Sequence, residues 1–205
     1  MSIRLNLINN SNLDYPNVVI FQKNQATVSD GFVIAWHVIS YLGQGDNHPF
    51  AFPLNTLYIS ASDSWGNFTP QLKANAGDFF HVAQTPSGDN LMRAGAASSP
   101  TEVQLRNDLP QGAINANVYK NGRLLAIKTG IAPGQKAAFS FKPTMWIGVV
   151  SQVEEGEVMN SATLSNINTQ MSLTGISSAD IVMTGGGTGP SSTPYKFSLE
   201  NVKMA

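Results

Sequence analysis

An all-β fold, a single-domain antiparallel β-sandwich with a closed barrel as second choice, is what this sequence of 205 residues predicts. Three observations carry that prediction. The dominant hydrophobic period is two. About ten apolar or alternating runs recur, separated by clusters of Gly, Asn, Asp, Ser and Pro. Convincing amphipathic helices are almost absent. The length suits one all-β domain over 1–205. No fixed-period internal repeat is evident, which argues against a propeller or solenoid.

Each element has its own signal. Ile3, Leu5 and Leu7 alternate before the NNSN break and read as a strand. Val18 to Gln22 is β-branched and aromatic and reads as a buried strand. Asp30-Gly31 is a turn signal, and Phe32 to Leu42 reads as a strand buried on both faces. Gly43 to Pro49 reads as a loop, Leu57 to Ala61 as a strand, and Asp63 to Asn67 (DSWGN) as a turn. Gln71 to Val82 carries a weak strand pattern around Asn75–Asp78. Residues 84–100 show little periodicity and read as a long exposed loop. Asn121-Gly122 between two alternating runs, Ile114–Tyr119 and Arg123–Lys128, reads as a type I′ hairpin. Pro133-Gly134 turns into AAFSFKP, and Met145 to Val150 is a further buried strand. Asp180–Thr184 and the terminal YKFSLENV flank a GGGTGPSSTP loop.

Charged residues make up 12% of the chain, against about 25% in a typical domain. Nineteen Asn, 20 Ser, 13 Thr, 10 Gln and 18 Gly take their place. A net charge of −1 leaves no basic footprint for nucleic acid. Zero Cys excludes disulfides and thiolate metal sites. The longest apolar stretch, Phe32 to Leu42, is too short to span a bilayer. MSIRLNLINNSN has no leader-like apolar core, so cytoplasmic synthesis is expected, with any export by a leaderless route.

The chemistry-bearing motifs are sparse. Met183 to Pro190 is Gly-rich but lacks the Lys-Ser/Thr pair and following helix of a phosphate loop. His37, His48 and His81 stand in no metal-ligand spacing. Glu154, Glu155 and Glu157 form the one carboxylate cluster and read as a solvated turn. No nucleophile elbow is present, so a non-catalytic protein is expected. No cofactor motif appears. Calcium is the ion that the loop pairs Asp46-Asn47, Asp63 with Asn67, and Asp89-Asn90 suit, with Asp46 and Asp89 as metal candidates. Trp65 and Phe68, with Asp63 and Asn67, and separately Tyr15, combine an aromatic face with amide and carboxylate groups suited to a sugar. Trp36 and Trp146, inside apolar runs, are assigned to the core.

LNLINNS, VVIFQ, the AW at 35–36 and WIGVVSQVEEGEV together resemble small bacterial RhiA-like (rhizosphere-induced) proteins. The resemblance covers islands in the first forty residues and around 146–158. It implies a soluble β-sandwich without a catalytic role and supplies no site residues.

Three functions follow as expectations. A self-associating interaction protein comes first, because few surface charges weaken the repulsion between copies. A lectin-like module using Trp65 comes second. A membrane-active sandwich docking Tyr41, Trp65 and Phe68 comes third. The expected partners are a second copy or a glycan.

Overall fold

The computed structural model describes residues 2–26, 31–167 and 169–205. The strands are β1 (Ser2–Asn9), β2 (Asn17–Phe21), β3 (Phe32–Val33), β4 (His37–Ile39), β5 (Asn47–Pro53), β6 (Leu57–Ser62), β7 (Leu72–Ala74), β8 (Asp78–Thr85) and β9 (Gly88–Ala96). They continue as β10 (Val103–Asn107), β11 (Ile114–Lys120), β12 (Arg123–Ile131), β13 (Lys136–Phe139) and β14 (Thr144–Val150). A short helix α1 (Ser161–Asn166) precedes β15 (Thr169–Ser172), β16 (Ile176–Gly186) and β17 (Thr193–Met204). The all-β expectation holds, and no sheet closes into a barrel.

The chain gathers into two compact units. The first comprises Met1–Gln22, Ala35–Leu54 and Pro143–Ala205, and the second Lys23–Ile34 and Asn55–Lys142. The first unit has sheets of order β17-β16-β1-β5 and β15-β14-β2-β4. Ile3, Leu5 and Leu7 of β1 are buried, as their alternation requires. The all-apolar stretch Val18–Phe21 is buried on both faces. Trp36 is fully buried, edge-on to Phe52 at 5.5 Å between centroids. Trp146 departs from its core assignment. It is half-buried and stacks on Phe21 at 6.1 Å.

The second unit has sheets of order β13-β10-β8-β9 and β3-β12-β11-β6-β7. Its core includes Ile59, Phe80, Leu105, Val118, Leu125 and Phe139. The β11–β12 hairpin forms as expected. Asn121 and Gly122 take φ of 53° and 75°, the left-handed pair that a type I′ turn demands.

The two units share one topology. In the first, hairpin β16–β17 lies parallel to β1 through β16, and β1 pairs antiparallel with β5. In the second, hairpin β8–β9 lies parallel to β10 through β8, and β10 pairs antiparallel with β13. The other sheets match as β15-β14-β2-β4 against β7-β6-β11-β12, with β3 added at the second unit's edge. The chain therefore carries a structural duplication, one copy in each half. Each unit combines strands from both halves. The expectation of no fixed-period sequence repeat is untouched by this, because what repeats is strand pairing, not a residue pattern.

A buried asparagine marks the same point in each copy. Asn9 ends β1, fully buried. Its Oδ1 accepts from Ser11 N at 3.0 Å, and its Nδ2 donates to the carbonyls of Leu13 and Leu42 at 3.1 and 2.9 Å. Asn107 ends β10, also fully buried. Its Oδ1 accepts from Leu109 N at 3.0 Å, and its Nδ2 donates to the carbonyls of Gly112 and Ile131, each at 2.8 Å. The backbone bonds match too. Asn9 N–H donates to Asp46 O at 3.0 Å, and Asn107 N–H to Gln135 O at 3.0 Å. Gly45 and Gly134 donate back to the two asparagine carbonyls, each at 2.7 Å.

Several sequence expectations are corrected. Phe32–Leu42 is not one strand: β3 and β4 are short, belong to different sheets, and are separated where the chain passes between units after Ile34. The Gly43–Pro49 loop is shorter, because β5 begins at Asn47. Pro49 is tolerated there since β5 is an edge strand, where a missing donor breaks no ladder. Residues 84–100 hold strand β9, hairpinned to β8 by Pro86-Ser87. Only Leu91 of β9 is buried, so no alternation marks it. The Gly-rich loop is trimmed at both ends, with β16 reaching Gly186 and β17 starting at Thr193. Asp30 lies outside the described residues.

Two predictions follow. Asn9→Ala and Asn107→Ala each remove the partner of one buried carbonyl, one partly buried carbonyl and one buried amide, so each lowers the unfolding free energy by about 2–4 kcal/mol in chemical denaturation. Burial pushes the Lys120 ammonium down from 10.5 to about 8. Between those values the unfolded chain holds a proton that the folded chain releases. Stability therefore rises with pH across that window, by up to roughly 3 kcal/mol. In Lys120→Met, the same denaturation series from pH 7 to 10.5 shows no such rise.

Candidate functional site

The β6–β7 connection of the second unit is built by one carboxylate. Asp63 Oδ1 accepts from the backbone N–H of Trp65 and of Asn67, each at 2.9 Å. Its Oδ2 accepts from Asn67 Nδ2 at 2.8 Å. Asp63 N–H in turn donates to Asn67 O at 3.1 Å, and Gly66 supplies φ of 85° for the reversal. Thr69 ties the return strand to Ala61, accepting from its N–H through Oγ1 at 3.0 Å and donating to its carbonyl at 2.9 Å. The Asn67 side chain and backbone bonds hold the Asp63 carboxyl below the usual carboxylate value of 3.8. The turn is braced before any ligand arrives.

That brace holds two aromatic rings in water. Trp65 is 88% exposed and Phe68 62%. They stand at the mouth of a cavity of about 470 Å³ within the second unit. Such a volume lies inside the range of small-molecule sites, roughly 300–1,000 Å³. Its floor is apolar, from Val82, Leu109 and Ile114. Its polar groups include Asp63, Asn67, Asp89 and Gln111 with the hydroxyls of Ser62, Ser64 and Thr69, and no Lys, Arg or His is on the lining. Gln111 belongs to the β10–β11 loop pinned by Asn107, and Asp89 to β9.

The sequence-derived residues thus divide. Asp63, Trp65, Asn67, Phe68 and Asp89 converge on this cleft. Tyr15 does not: it belongs to the first unit, 66% exposed with φ of 60°. Asp46 also lies in the first unit, where its carbonyl accepts from Asn9. Asn90, paired with Asp89 in the calcium reading, is turned to the β8–β9 turn, its Nδ2 donating to Thr85 Oγ1 at 2.6 Å. Among the described residues no three His, Asp or Glu side chains gather as a metal group. Gln111 and the apolar floor were not singled out from sequence, since only strand pairing brings 109–114 beside 61–70.

Two of the histidines lie against carboxylates. His81 Nδ1 lies 2.8 Å from Asp108 Oδ2. Arg106 and His81 together hold the Asp108 carboxyl down at about 2, against burial. In the first unit, His37 Nδ1 lies 2.8 Å from Glu155 Oε2. Glu154, Glu155 and Glu157 line a separate cavity there of about 630 Å³, with Tyr41 and Asn17. Their turn is fixed by Gly156 N–H donating to Ala35 O and by Glu157 O accepting from Ala35 N–H.

Compared with known proteins, the chain matches no family model, no curated protein and no solved structure. The resemblance to RhiA-like proteins rests on its sequence islands alone.

The brace makes a local prediction. Asp63→Ala removes three acceptor contacts and leaves the two backbone N–H groups to water. Trp65 gains nanosecond mobility in time-resolved fluorescence anisotropy, while far-UV circular dichroism is unchanged. In the wild type the same loosening appears only on acidification below 3.8, because the Asp63 carboxyl is held beneath that value.

Proposed function

We propose that the protein is a non-catalytic carbohydrate-binding module that uses the Trp65 cleft. The observation that carries this reading is Trp65 itself: an indole 88% exposed on a turn whose backbone is already fixed. Leaving so large an apolar surface in water costs free energy, roughly 25 cal/mol per Å². Covering it with the C–H face of a pyranose recovers that cost, with little ordering entropy because the turn is preorganised.

The lining supports a neutral polyhydroxylated ligand over an anion. Two carboxylates and no cation face the cavity, so a phosphate or acidic ligand meets repulsion. Asp89 and Gln111 are exposed and offer carboxylate and amide groups to hydroxyls. Asp63 is a positioning residue, because its oxygens already serve the turn.

A glycan array tests the reading. Wild-type protein binds one class of neutral glycan, and Trp65→Ala lowers that signal at least about tenfold, the loss expected for an aromatic contact worth roughly 1.5 kcal/mol. Asp89→Asn weakens it less. A chelator reports whether calcium takes part. An array without signal, or a signal untouched by Trp65→Ala, rejects the cleft as a sugar site.

A further inference from the structure

The outer strand β17 is the longest sheet edge of the described chain, 12 residues. Its ladder with β16 is regular from Lys196 to Glu200 only. Register shifts bound that window on both sides, and Asn201, at φ of 48°, kinks the chain just beyond it. Within the window Lys196, Ser198 and Glu200 face water, while Phe197 and Leu199 are half-buried.

Among the described residues no counter-ion meets the charges of this window, although Glu200 Oε1 accepts from Ser198 Oγ at 3.3 Å. Glu200 stands directly opposite Asp180 of β16, and like charges directly opposite destabilise a ladder. Asp180 takes amide donors from Asn6 at 3.2 Å and Asn201 at 2.7 Å, not a cation. Arg4 and Lys203 flank the same groove as Asp180. Among the described residues, neither they nor Lys196 make an ion pair with it or with Glu200. Lys196 faces Thr184. The counterpart edge in the second unit, β9, differs: its Arg93 is already committed to Asp78.

We propose that β17 is a homodimer interface, pairing antiparallel with β17 of a second copy about a twofold axis at Ser198. Two independent features select that register. The bulges confine regular pairing to Lys196–Glu200, whose midpoint is Ser198. The same register sets Lys196 of each copy opposite Glu200 of the other, so both charges gain a partner and the Glu200–Asp180 repulsion is relieved. Shifting the axis to Glu200 brings two glutamates together, and shifting it between Leu199 and Glu200 sets Lys196 against Lys203. Edge lysines ordinarily discourage pairing. Here the alternation of sign makes the edge selective for itself. The interface lies wholly in the first unit and shares no residue with the Trp65 cleft, so it stands whatever the glycan array returns.

Sedimentation velocity on the full chain at low and high salt tests it. The wild type sediments as a dimer at low salt and dissociates more readily at high salt. Lys196→Glu and Glu200→Lys, each converting two attractions per dimer into two repulsions, weaken dimerisation at least about tenfold. The double charge swap Lys196→Glu with Glu200→Lys restores it to within about threefold of wild type. Thermal melts of the variants confirm folding, since both sites are exposed. A wild-type monomer up to millimolar concentration overturns the proposal. So does a dimer indifferent to the single reversals, or one that the double swap fails to restore.

Discussion

Two buried carboxamides hold this protein's loops where they are. Asn9 and Asn107 each end a strand and satisfy backbone groups on chain segments far apart in sequence. A carboxamide suits the position because it offers two donors and an acceptor without charge. A carboxylate there lacks the donors and buries a charge, and an apolar residue leaves at least one buried carbonyl, that of Leu42 or Ile131, unpaired away from water. The functional consequence is direct in the second unit. Asn107 holds Gly112 O at 2.8 Å, and that loop supplies one wall of the Trp65 cleft. The cleft is therefore only as rigid as the amide beneath it.

The duplicated scaffold separates what is constant from what is free to change. The asparagine bonds, the parallel central pair and the outer hairpin recur in both units. The connections after the matching strands β6 and β14 do not. One is a tight aromatic turn braced by Asp63. The other is a longer segment with three glutamates, Gly156 and helix α1. Backbone hydrogen bonds constrain strands, and loops carry no such obligation. Each unit thus presents its own cavity with its own chemistry, one aromatic and amide-lined, the other acidic.

The parts of the fold legible in sequence are those where burial imposes a pattern. Ile3, Leu5 and Leu7 alternate because one face is in the core. Asn121-Gly122 announces its hairpin because few residues tolerate two positive φ values in succession. The edge strand β5, whose His48, Phe50 and Phe52 do turn inward, is masked by Pro49 and the turn residues Gly45–Asn47 at its start. The edge strand β9 carries no alternation because all but one of its side chains are exposed or half-exposed. The break at Ile34–Trp36 was missed for the opposite reason. All three residues are buried, and an apolar run reads alike whether it stays in one sheet or passes to another. The duplication leaves no mark in the sequence because backbone pairing conserves geometry, not side chains. At the site, Trp65 is legible as a candidate because it stands in the turn cluster Asp63–Asn67 and not in an apolar run, although the sequence alone leaves open that it folds back over the end of the sandwich. Asp89 was named from sequence only as a metal candidate, and its convergence with Gln111 on that cleft depends on topology alone.

The scarcity of charge, 25 residues among 205, gives the remaining charges unusual weight. In an ordinary domain an exposed lysine has several carboxylates within a Debye length, about 10 Å at moderate salt, and no single pair stands out. Here the carboxylates are few, and several are already engaged: Asp63 in its turn, Asp78 with Arg93, Asp108 with Arg106 and His81. Among the described residues Lys196 has no ion pair and Glu200 faces another carboxylate, Asp180, within that sparse set. Low charge thus acts in two ways. It lowers the general repulsion between copies, and on the β17 edge it leaves Lys196 and Glu200 exposed without a counter-ion among the described residues.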